Sequence, residues 1–268
     1  MGFLAEVVRE TNEAILDPQY VQGLPAEPPG KRPSLRAAVE RDSARGALLV
    51  EYKRFSPGQC DPVLPSRSVH DFVRRVDPVG VTGYSCLAAR PRFHGAPADV
   101  AELVRSTDRP VLFKEFVLAP RQLDVAARAG ASAVLLIARL ETEGYLSVPL
   151  QVLARGAHDR GLEVLIEWHS KSELSATSGV EADMYGVNVR DLDSLAIDRP
   201  TAEATLEAAR AAGRRPLLGL SGVETPADAG RFWTRGADGI LVGTAVARAT
   251  DPRVLLDSLR RPKSEVGP

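Results

Sequence analysis

Eight short apolar segments recur along the chain, and this repeat constrains the fold more than any other feature. Each segment has the length of a buried strand and is rich in Val, Leu or Ile, which is typical of parallel strands covered on both faces. The intervals between the segments are long enough for a helix and two short loops. The sequence therefore predicts an α/β fold with strands near residues 47–52, 79–87, 110–115, 132–138, 163–168, 184–189, 216–220 and 239–242.

Most of the intervals contain helical patterns with recognisable start and stop signals. Proline is favoured in the first turn of a helix, and glycine is favoured just after its end. Helices are predicted to begin after Pro97, Pro120, Thr201 and Thr225, and glycines mark the ends of the last three at Gly130, Gly213 and Gly236. Local signals thus support the alternation of strand and helix.

Two α/β architectures accommodate this alternation, a closed (β/α)8 barrel and an open doubly wound sheet. The open sheet usually carries a glycine-rich turn after its first strand, and residues 51–56 contain no glycine. Eight strands in one chain of 268 residues match the size of a barrel. We therefore predict a (β/α)8 TIM barrel with an N-terminal helical extension.

The predicted barrel domain covers residues 47–262. It is preceded by an extension, residues 1–46, that packs on the barrel, and it is followed by a short tail, residues 263–268. Within the extension, Pro33-Ser34 predicts a short helix over residues 35–39. The Pro- and Gly-rich stretch 23–33 is interpreted as a connector that crosses the barrel surface.

The chain is nearly neutral, with a net charge of −1, so no global field attracts nucleic acid or an anionic membrane. No apolar stretch approaches the ~20 residues that span a bilayer. Residues 1–9 include Glu6 and lack a long apolar core, so we expect no signal peptide. The sequence predicts a cytoplasmic protein with no nucleic-acid partner and no membrane partner.

Cysteine and histidine usage gives no sign of a metal site. Cys60 and Cys86 are not spaced as a C-x-x-C pair, which is consistent with ordinary thiols in a reducing compartment. The four histidines form no H-E-x-x-H or similar cluster. We therefore predict that the protein holds no metal.

An acid and a base lie two residues apart at the end of the first predicted strand. Strand side chains alternate between faces, so Glu51 and Lys53 share one face. A charged pair at the end of a buried strand is unfavourable unless a partner or a ligand uses it. Both a structural ion pair at the strand rim and a functional site fit this observation.

Other strands also end in charged or polar residues, and in a barrel the carboxyl ends of the strands carry the chemistry. The third ends at Lys114, the fifth at Glu167, and the sixth at Asn188 and Arg190. Two lysines and a carboxylate suit proton transfer on an anionic substrate, and we expect a neighbouring cation to lower the pKa of a lysine. Schiff-base chemistry at either lysine fits the same pattern.

Small residues follow the last two predicted strands, Ser221-Gly222 after the seventh and Gly243-Thr244 after the eighth. Such residues let the backbone approach an anion closely, and barrels commonly bind phosphate after these two strands. The alternative is that both glycines serve only the turns. The position of the two turns indicates a phosphate site.

Together, these strand-end strings resemble the indole-3-glycerol-phosphate synthase family of tryptophan biosynthesis. The resemblance covers roughly residues 33 to 257 and rests on the strings EYKRFSP (51–57), PVLFKEF (110–116), AVLLI (133–137), VLIE (164–167), GVNVRDL (186–192), SGV (221–223) and LVGT (241–244). It implies closure of the indole ring from 1-(2-carboxyphenylamino)-1-deoxyribulose 5-phosphate, a phosphorylated small molecule, with loss of carbon dioxide and water. The resemblance implies no cofactor and no metal, and we expect a monomer or weak homodimer.

The resemblance also implies roles for individual residues. Lys114 looks like the general acid and Glu167 like the general base, while Lys53 would pair with the substrate carboxylate and help to hold both. The other implied contacts are Glu51 and Asn188 with sugar hydroxyls and catalytic groups, Ser56 and Arg190 with the anthranilate carboxylate, Phe116 and Leu135 with the aromatic ring, and Ser221, Gly222, Gly243 and Thr244 with phosphate.

Three strings depart from the family pattern. Leu220 replaces a glutamate before the Ser-Gly turn, Ala88-Ala89 replace Thr-Glu after the second strand, and residues 93–96 read Phe-His-Gly-Ala where Gly-Ser normally follows the phenylalanine. These departures leave two alternatives open. One is a divergent paralogue acting on a modified aryl-amino sugar phosphate, and the other is a non-catalytic ligand-binding barrel.

Overall fold

The computed structural model describes residues 2–30, 32–56 and 68–262. Eight parallel strands form a closed barrel in which each strand pairs with the next and the eighth pairs with the first, which confirms the predicted TIM barrel. The strands are β1 (Ala47–Tyr52), β2 (Gly83–Leu87), β3 (Val111–Lys114), β4 (Ala133–Ile137), β5 (Glu163–Trp168), β6 (Met184–Asn188), β7 (Leu217–Leu220) and β8 (Gly239–Val242).

Helices lie between the strands and before the barrel. They are α1 (Phe3–Ala14), α2 (Leu35–Asp42), α3 (Val69–Val76), α4 (Pro97–Ser106), α5 (Pro120–Ala129), α6 (Ala138–Thr142), α7 (Leu150–His158), α8 (Lys171–Ala176), α9 (Arg199–Ala211), α10 (Pro226–Thr234), α11 (Thr244–Arg248) and α12 (Pro252–Leu259). Short 3-10 turns cover Pro18–Val21, Ser43–Arg45 and Asp77–Val79.

Several helix boundaries follow the local signals in the sequence. Pro97 and Pro120 begin α4 and α5, and Gly130 ends α5 with a left-handed φ of 85°. The hydroxyl of Thr225 accepts a hydrogen bond from Asp228 N and caps α10. The start of α9 was predicted too far along the chain. The side chain of Asp198, not Thr201, caps that helix.

The start of β2 was also predicted too early. Residues 77–79 form a 3-10 turn, and Gly80 follows it in the left-handed conformation with φ 75°. The strand therefore begins only at Gly83. Val79 contributed to the apolar run without being part of the strand.

The alternation of strand side chains produces two apolar layers. Leu49, Leu112, Leu165 and similar inward residues fill the barrel, and outward residues such as Val50 and Val134 pack toward the helices. At the carboxyl end of each strand, the last inward side chains border the barrel mouth. The layers therefore decide which strand-end residues reach a common site.

The residues before β1 contact both ends of the barrel. Helix α1 lies at the mouth, where Arg92 pairs with Glu6 (2.6 Å) and Asp193 accepts a hydrogen bond from Leu4 N (3.2 Å). Helix α2 lies at the opposite end, where Glu163, the first residue of β5, accepts a hydrogen bond from Arg36 N. Within the described ranges, no helix is long and apolar enough to cross a membrane.

Candidate active site

A cavity of about 130 Å³ opens at the carboxyl ends of the strands. Every residue predicted for the site lines it: Glu51, Lys53, Ser56, Lys114, Phe116, Leu135, Glu167, Asn188, Arg190, Ser221, Gly222, Gly243 and Thr244. A concave pocket that combines apolar walls with convergent charged groups is the usual form of a small-molecule site. The barrel therefore brings all the predicted residues together, while their individual roles stay predictions.

Glu51 lies between the two lysines. Its Oε1 is 3.2 Å from Lys53 Nζ, and its Oε2 is 3.3 Å from Lys114 Nζ. Burial alone would raise the pKa of Glu51, but the charges of Lys114 and Lys53 outweigh burial and lower it. The pair at the end of β1 is therefore part of a three-residue ionic cluster inside the cavity.

The pKa of Lys114 moves in the direction opposite to our expectation. Burial would lower the pKa of this ammonium group, but the negative charges of Glu51 and Glu167 outweigh burial and raise it. The expectation of a lowered lysine pKa was wrong here because it considered the neighbouring cation and not the carboxylate that lies between the lysines. Lys114 is consequently charged at neutral pH.

Glu167 occupies the last inward position of β5 and is almost fully buried. Burial would raise its pKa, but contact with His169, the charge of Lys114 and the Asn188 amide together lower it. The Oδ1 atom of Asn188 accepts a hydrogen bond from Arg190 N (3.0 Å), which leaves the amide NH2 to face the carboxylate. Glu167 is therefore ionised in the folded protein.

The turns after β7 and β8 need their glycines. Gly222 has φ 65°, and a Cβ there would lie 2.6 Å from Val189 Cγ2. At Gly243 a Cβ would lie 2.8 Å from Glu51 Oε1. Small residues at these positions keep the backbone close to the cavity, as a phosphate site requires, and they also satisfy the turn geometry.

An apolar wall faces the charged groups across the cavity. The rings of Phe93 and Phe116 are 6.0 Å apart, and Phe3 of α1 joins them in the lining. Sequence reasoning identified Phe116 and missed the other two rings. Phe3 and Phe93 lie outside the strands, and only the packing of α1 and of the loop after β2 brings them to the mouth.

Leu220 does not line the cavity. It is almost completely buried, and its Cδ1 lies 2.6 Å from the place that a Cβ on Gly186 would take.

The loop at residues 88–96 turns sharply, with left-handed φ values of 62° at Arg92 and 56° at His94. This turn brings the Arg92 side chain to Glu6 and Glu10 of α1.

Metal-binding residues are not clustered in the part of the chain that the structure describes. Across residues 2–30, 32–56 and 68–262, no group of three or more His, Cys, Asp or Glu side chains is arranged to hold a metal ion. The prediction for Cys60 lies outside the described residues, and Cys86 is a buried free thiol.

Solved structures of two other enzymes have the same architecture. The tryptophan synthase alpha chain from Legionella pneumophila superposes with a TM-score of 0.58 and 17% identity over 84% of this chain and 95% of that chain. Thiamine phosphate pyrophosphorylase from Pyrococcus furiosus gives a TM-score of 0.55 at 18% identity, covering 82% of this chain and 95% of that chain. At these identities the similarity shows the barrel fold alone.

Proteins with similar sequences identify the family more specifically than the solved structures do. Indole-3-glycerol phosphate synthase from Thermococcus kodakarensis is 32% identical over 82% of this chain and 94% of its own length. The corresponding protein from Halobacterium salinarum is 36% identical over 80% of this chain and 81% of its own length. The profile of indole-3-glycerol phosphate synthase matches residues 6–259. The chain therefore belongs to the indole-3-glycerol phosphate synthase family, the decarboxylating lyases that act in tryptophan biosynthesis.

Proposed function

We propose that the cavity at the barrel mouth closes the indole ring of 1-(2-carboxyphenylamino)-1-deoxyribulose 5-phosphate by general acid and base catalysis. The observation that carries this proposal is that Lys114 and Glu167, both ionised, border one cavity between an apolar wall and two glycine turns. This arrangement supplies a proton donor, a proton acceptor and complementary surfaces for the ends of such a substrate.

The lining of the cavity supports one orientation of the substrate. The phosphate would lie against Ser221-Gly222 and Gly243-Thr244, where small residues would let backbone N–H groups approach it. The anthranilate ring would lie against Phe116 and Leu135, and its carboxylate would meet Lys53, Arg190 and Ser56. The guanidinium of Arg190 suits a planar carboxylate.

The first chemical step joins carbon to carbon. The ring carbon that bears the carboxylate attacks the sugar carbonyl carbon, and Lys114 donates a proton to the developing alkoxide. The C–C bond to the carboxylate then breaks, carbon dioxide leaves, and the electron pair returns to the ring. Glu51 contacts both lysines and would hold Lys114 in place for this transfer.

The second step removes water. Lys114, reprotonated from solvent, donates a proton to the new hydroxyl, which leaves as water, and Glu167 accepts a proton from the neighbouring carbon as the double bond of the indole forms. Oε2 of Glu167 is buried and makes no hydrogen bond to another described residue, so the carboxylate keeps a free acceptor atom. Asn188 would orient the carboxylate and a sugar hydroxyl.

The test is turnover of the purified protein with the phosphorylated anthranilate sugar, followed by indole fluorescence and by carbon dioxide release. We expect both signals at equal rates, with complementation of a tryptophan auxotroph. Binding of a product analogue without turnover would instead support a ligand-binding barrel. We also propose a monomer or weak homodimer acting in the cytoplasm, which light scattering and cell fractionation would check.

A further inference from the structure

A histidine lies directly behind the proposed general base. His169 follows Glu167 by two residues, on the same face at the end of β5, and both side chains are at least 95% buried, with 5% and 1% of their surface exposed. Its Nε2 is 3.3 Å from Glu167 Oε1, an ion-pair distance without the alignment of a hydrogen bond. Its Nδ1 is 3.2 Å from Glu173 Oε2.

The chain of charges continues to the surface loops. Glu173, in the first turn of α8, also accepts a hydrogen bond from His169 N (2.7 Å), and its Oε1 is 3.0 Å from Arg139 Nε. Arg139 of α6 reaches Asp191 Oδ2 at 2.8 Å. Segments that follow three consecutive strands, β4, β5 and β6, are therefore connected to the imidazole of His169.

The two glutamates decide the charge of His169. Burial disfavours the imidazolium, but contacts with Glu167 and Glu173 outweigh burial and raise the pKa of His169 to about 9. The imidazolium in turn helps to lower the pKa of Glu167. Lys114 of β3 also lies near the Glu167 carboxylate, and Arg190, in the segment after β6, lies near Lys114.

We propose that His169 is a positioning residue for Glu167, whose imidazole next to Oε1 holds the carboxylate in place at the wall of the cavity. This inference rests on the proposed function of Glu167 as the base. The inference predicts that the charge of His169, which does not touch the substrate, sets the pH at which Glu167 becomes active as the base.

Two substitutions separate the effect of the positive charge of His169 from the effect of its shape. His169→Gln places an amide near Glu167 without a positive charge, and His169→Asn keeps a polar group near Glu173 only. Loss of the cation raises the pKa of Glu167, so the acidic limb of the kcat/KM profile moves to higher pH by about one unit in both. We expect kcat to fall roughly tenfold in the asparagine variant and less in the glutamine variant, with KM little changed.

Trp168→Phe is the matched control on the same strand. Trp168 is fully buried on the outer face of β5, stacks on Tyr185 and donates to Thr177 Oγ1 (2.8 Å). Its variant is expected to lose stability without moving the acidic limb. Folded histidine variants that keep the wild-type kcat and the wild-type limb would overturn the proposal, as would a limb that moves equally in the control.

The charge of His169 can be measured without changing it. Replacing His70, His94 and His158 with Gln leaves His169 as the sole histidine, and its labelled imidazole can be titrated by NMR. We expect it to stay protonated up to about pH 9. A neutral imidazole at pH 7 would refute the inference even if turnover is normal, whereas a charged imidazole in a protein without turnover would point to failure of the proposed function alone.

Discussion

Two buried glutamates at strand ends, Glu167 and Glu115, have opposite electrostatics. Glu167 lies on the inside of the barrel, where His169 and Lys114 help to lower its pKa. The Glu115 side chain points outward, where it accepts hydrogen bonds from two neutral groups, Tyr20 Oη (2.5 Å) and Gln122 Nε2 (2.8 Å). Burial therefore dominates at Glu115 and raises its pKa to about 7.

Both carboxyl groups are buried, so the neighbouring groups, not burial alone, decide whether each is ionised. Glu115 follows Lys114 directly, so two adjacent residues belong to the inner charged cluster and to the outer neutral one. Tyr20 belongs to the chain before β1, so the neutral glutamate fastens the extension to the barrel. At this edge of the barrel, Lys114, the proposed acid, is therefore adjacent to Glu115, which has a structural role.

Substitution of Lys114, in the inner cluster, should reduce turnover most strongly. Lys114→Met removes the proposed acid, and we expect kcat to fall by about 10³ with the protein still folded. Lys171→Met is the matched control, because Lys171 is exposed on α8, and it should keep wild-type turnover. Steady-state fluorescence assays and circular dichroism measure both, and near-normal turnover of the Lys114 variant would remove this residue as the acid.

The direct test of the comparison exchanges each glutamate for glutamine. Glu167→Gln removes the proposed base, so kcat should fall by about 10² to 10³. Glu115→Gln should leave kcat within about twofold, since its amide can still accept from Tyr20. Equal losses in the two variants would mean that the inner and outer carboxyl groups do not differ in the way described.

Ionisation of Glu115, on the outer side of the barrel, should make the free energy of unfolding depend on pH. The folded pKa of Glu115 is about 7, above its usual value of 4.5, so its stabilising effect is complete below pH 4.5 and is lost as pH rises through 7. The wild type should lose about 3 kcal/mol of unfolding free energy over this range relative to Glu115→Gln. Urea unfolding at a series of pH values measures the difference, and parallel curves would contradict it.

The smallest expected effect concerns the hydroxyl that fastens the extension. Tyr20→Phe removes the donor to Glu115, and the unfolding free energy should fall by about 1 kcal/mol. Because that hydrogen bond lowers the pKa of Glu115, its loss should shift the pH-dependent step upward. The same urea series shows the shift, and an unchanged midpoint of the pH step would exclude this contact as a determinant.

Much of the site could be predicted because strand geometry is periodic. The spacing of Glu51 and Lys53 placed both on the inner face, and barrel closure placed Lys114 and Glu167 opposite them. The same alternation places His169, two residues after Glu167, on the inner face at the end of β5, and sequence reasoning missed this residue. That signal was available in the sequence.

Other features could not be predicted, because they depend on distances between elements far apart in sequence. The raised pKa of Lys114 follows from its 3.3 Å contact with Glu51, and that of Glu115 from a pocket closed by Tyr20. No local pattern places Phe3 at the mouth. The effect of Leu220 also depends on packing, since it points at Gly186 rather than into the cavity.

The contact between Leu220 and Gly186 also limits the order in which these positions can change. Leu220 fills the volume that any side chain at 186 would need, so a larger residue at 186 is accepted only after residue 220 has become smaller. An exchange of Leu220 for another long side chain keeps that block in place. The two positions are therefore expected to show epistasis, with a substitution at 186 harmful in this background and tolerated in one with a short residue at 220.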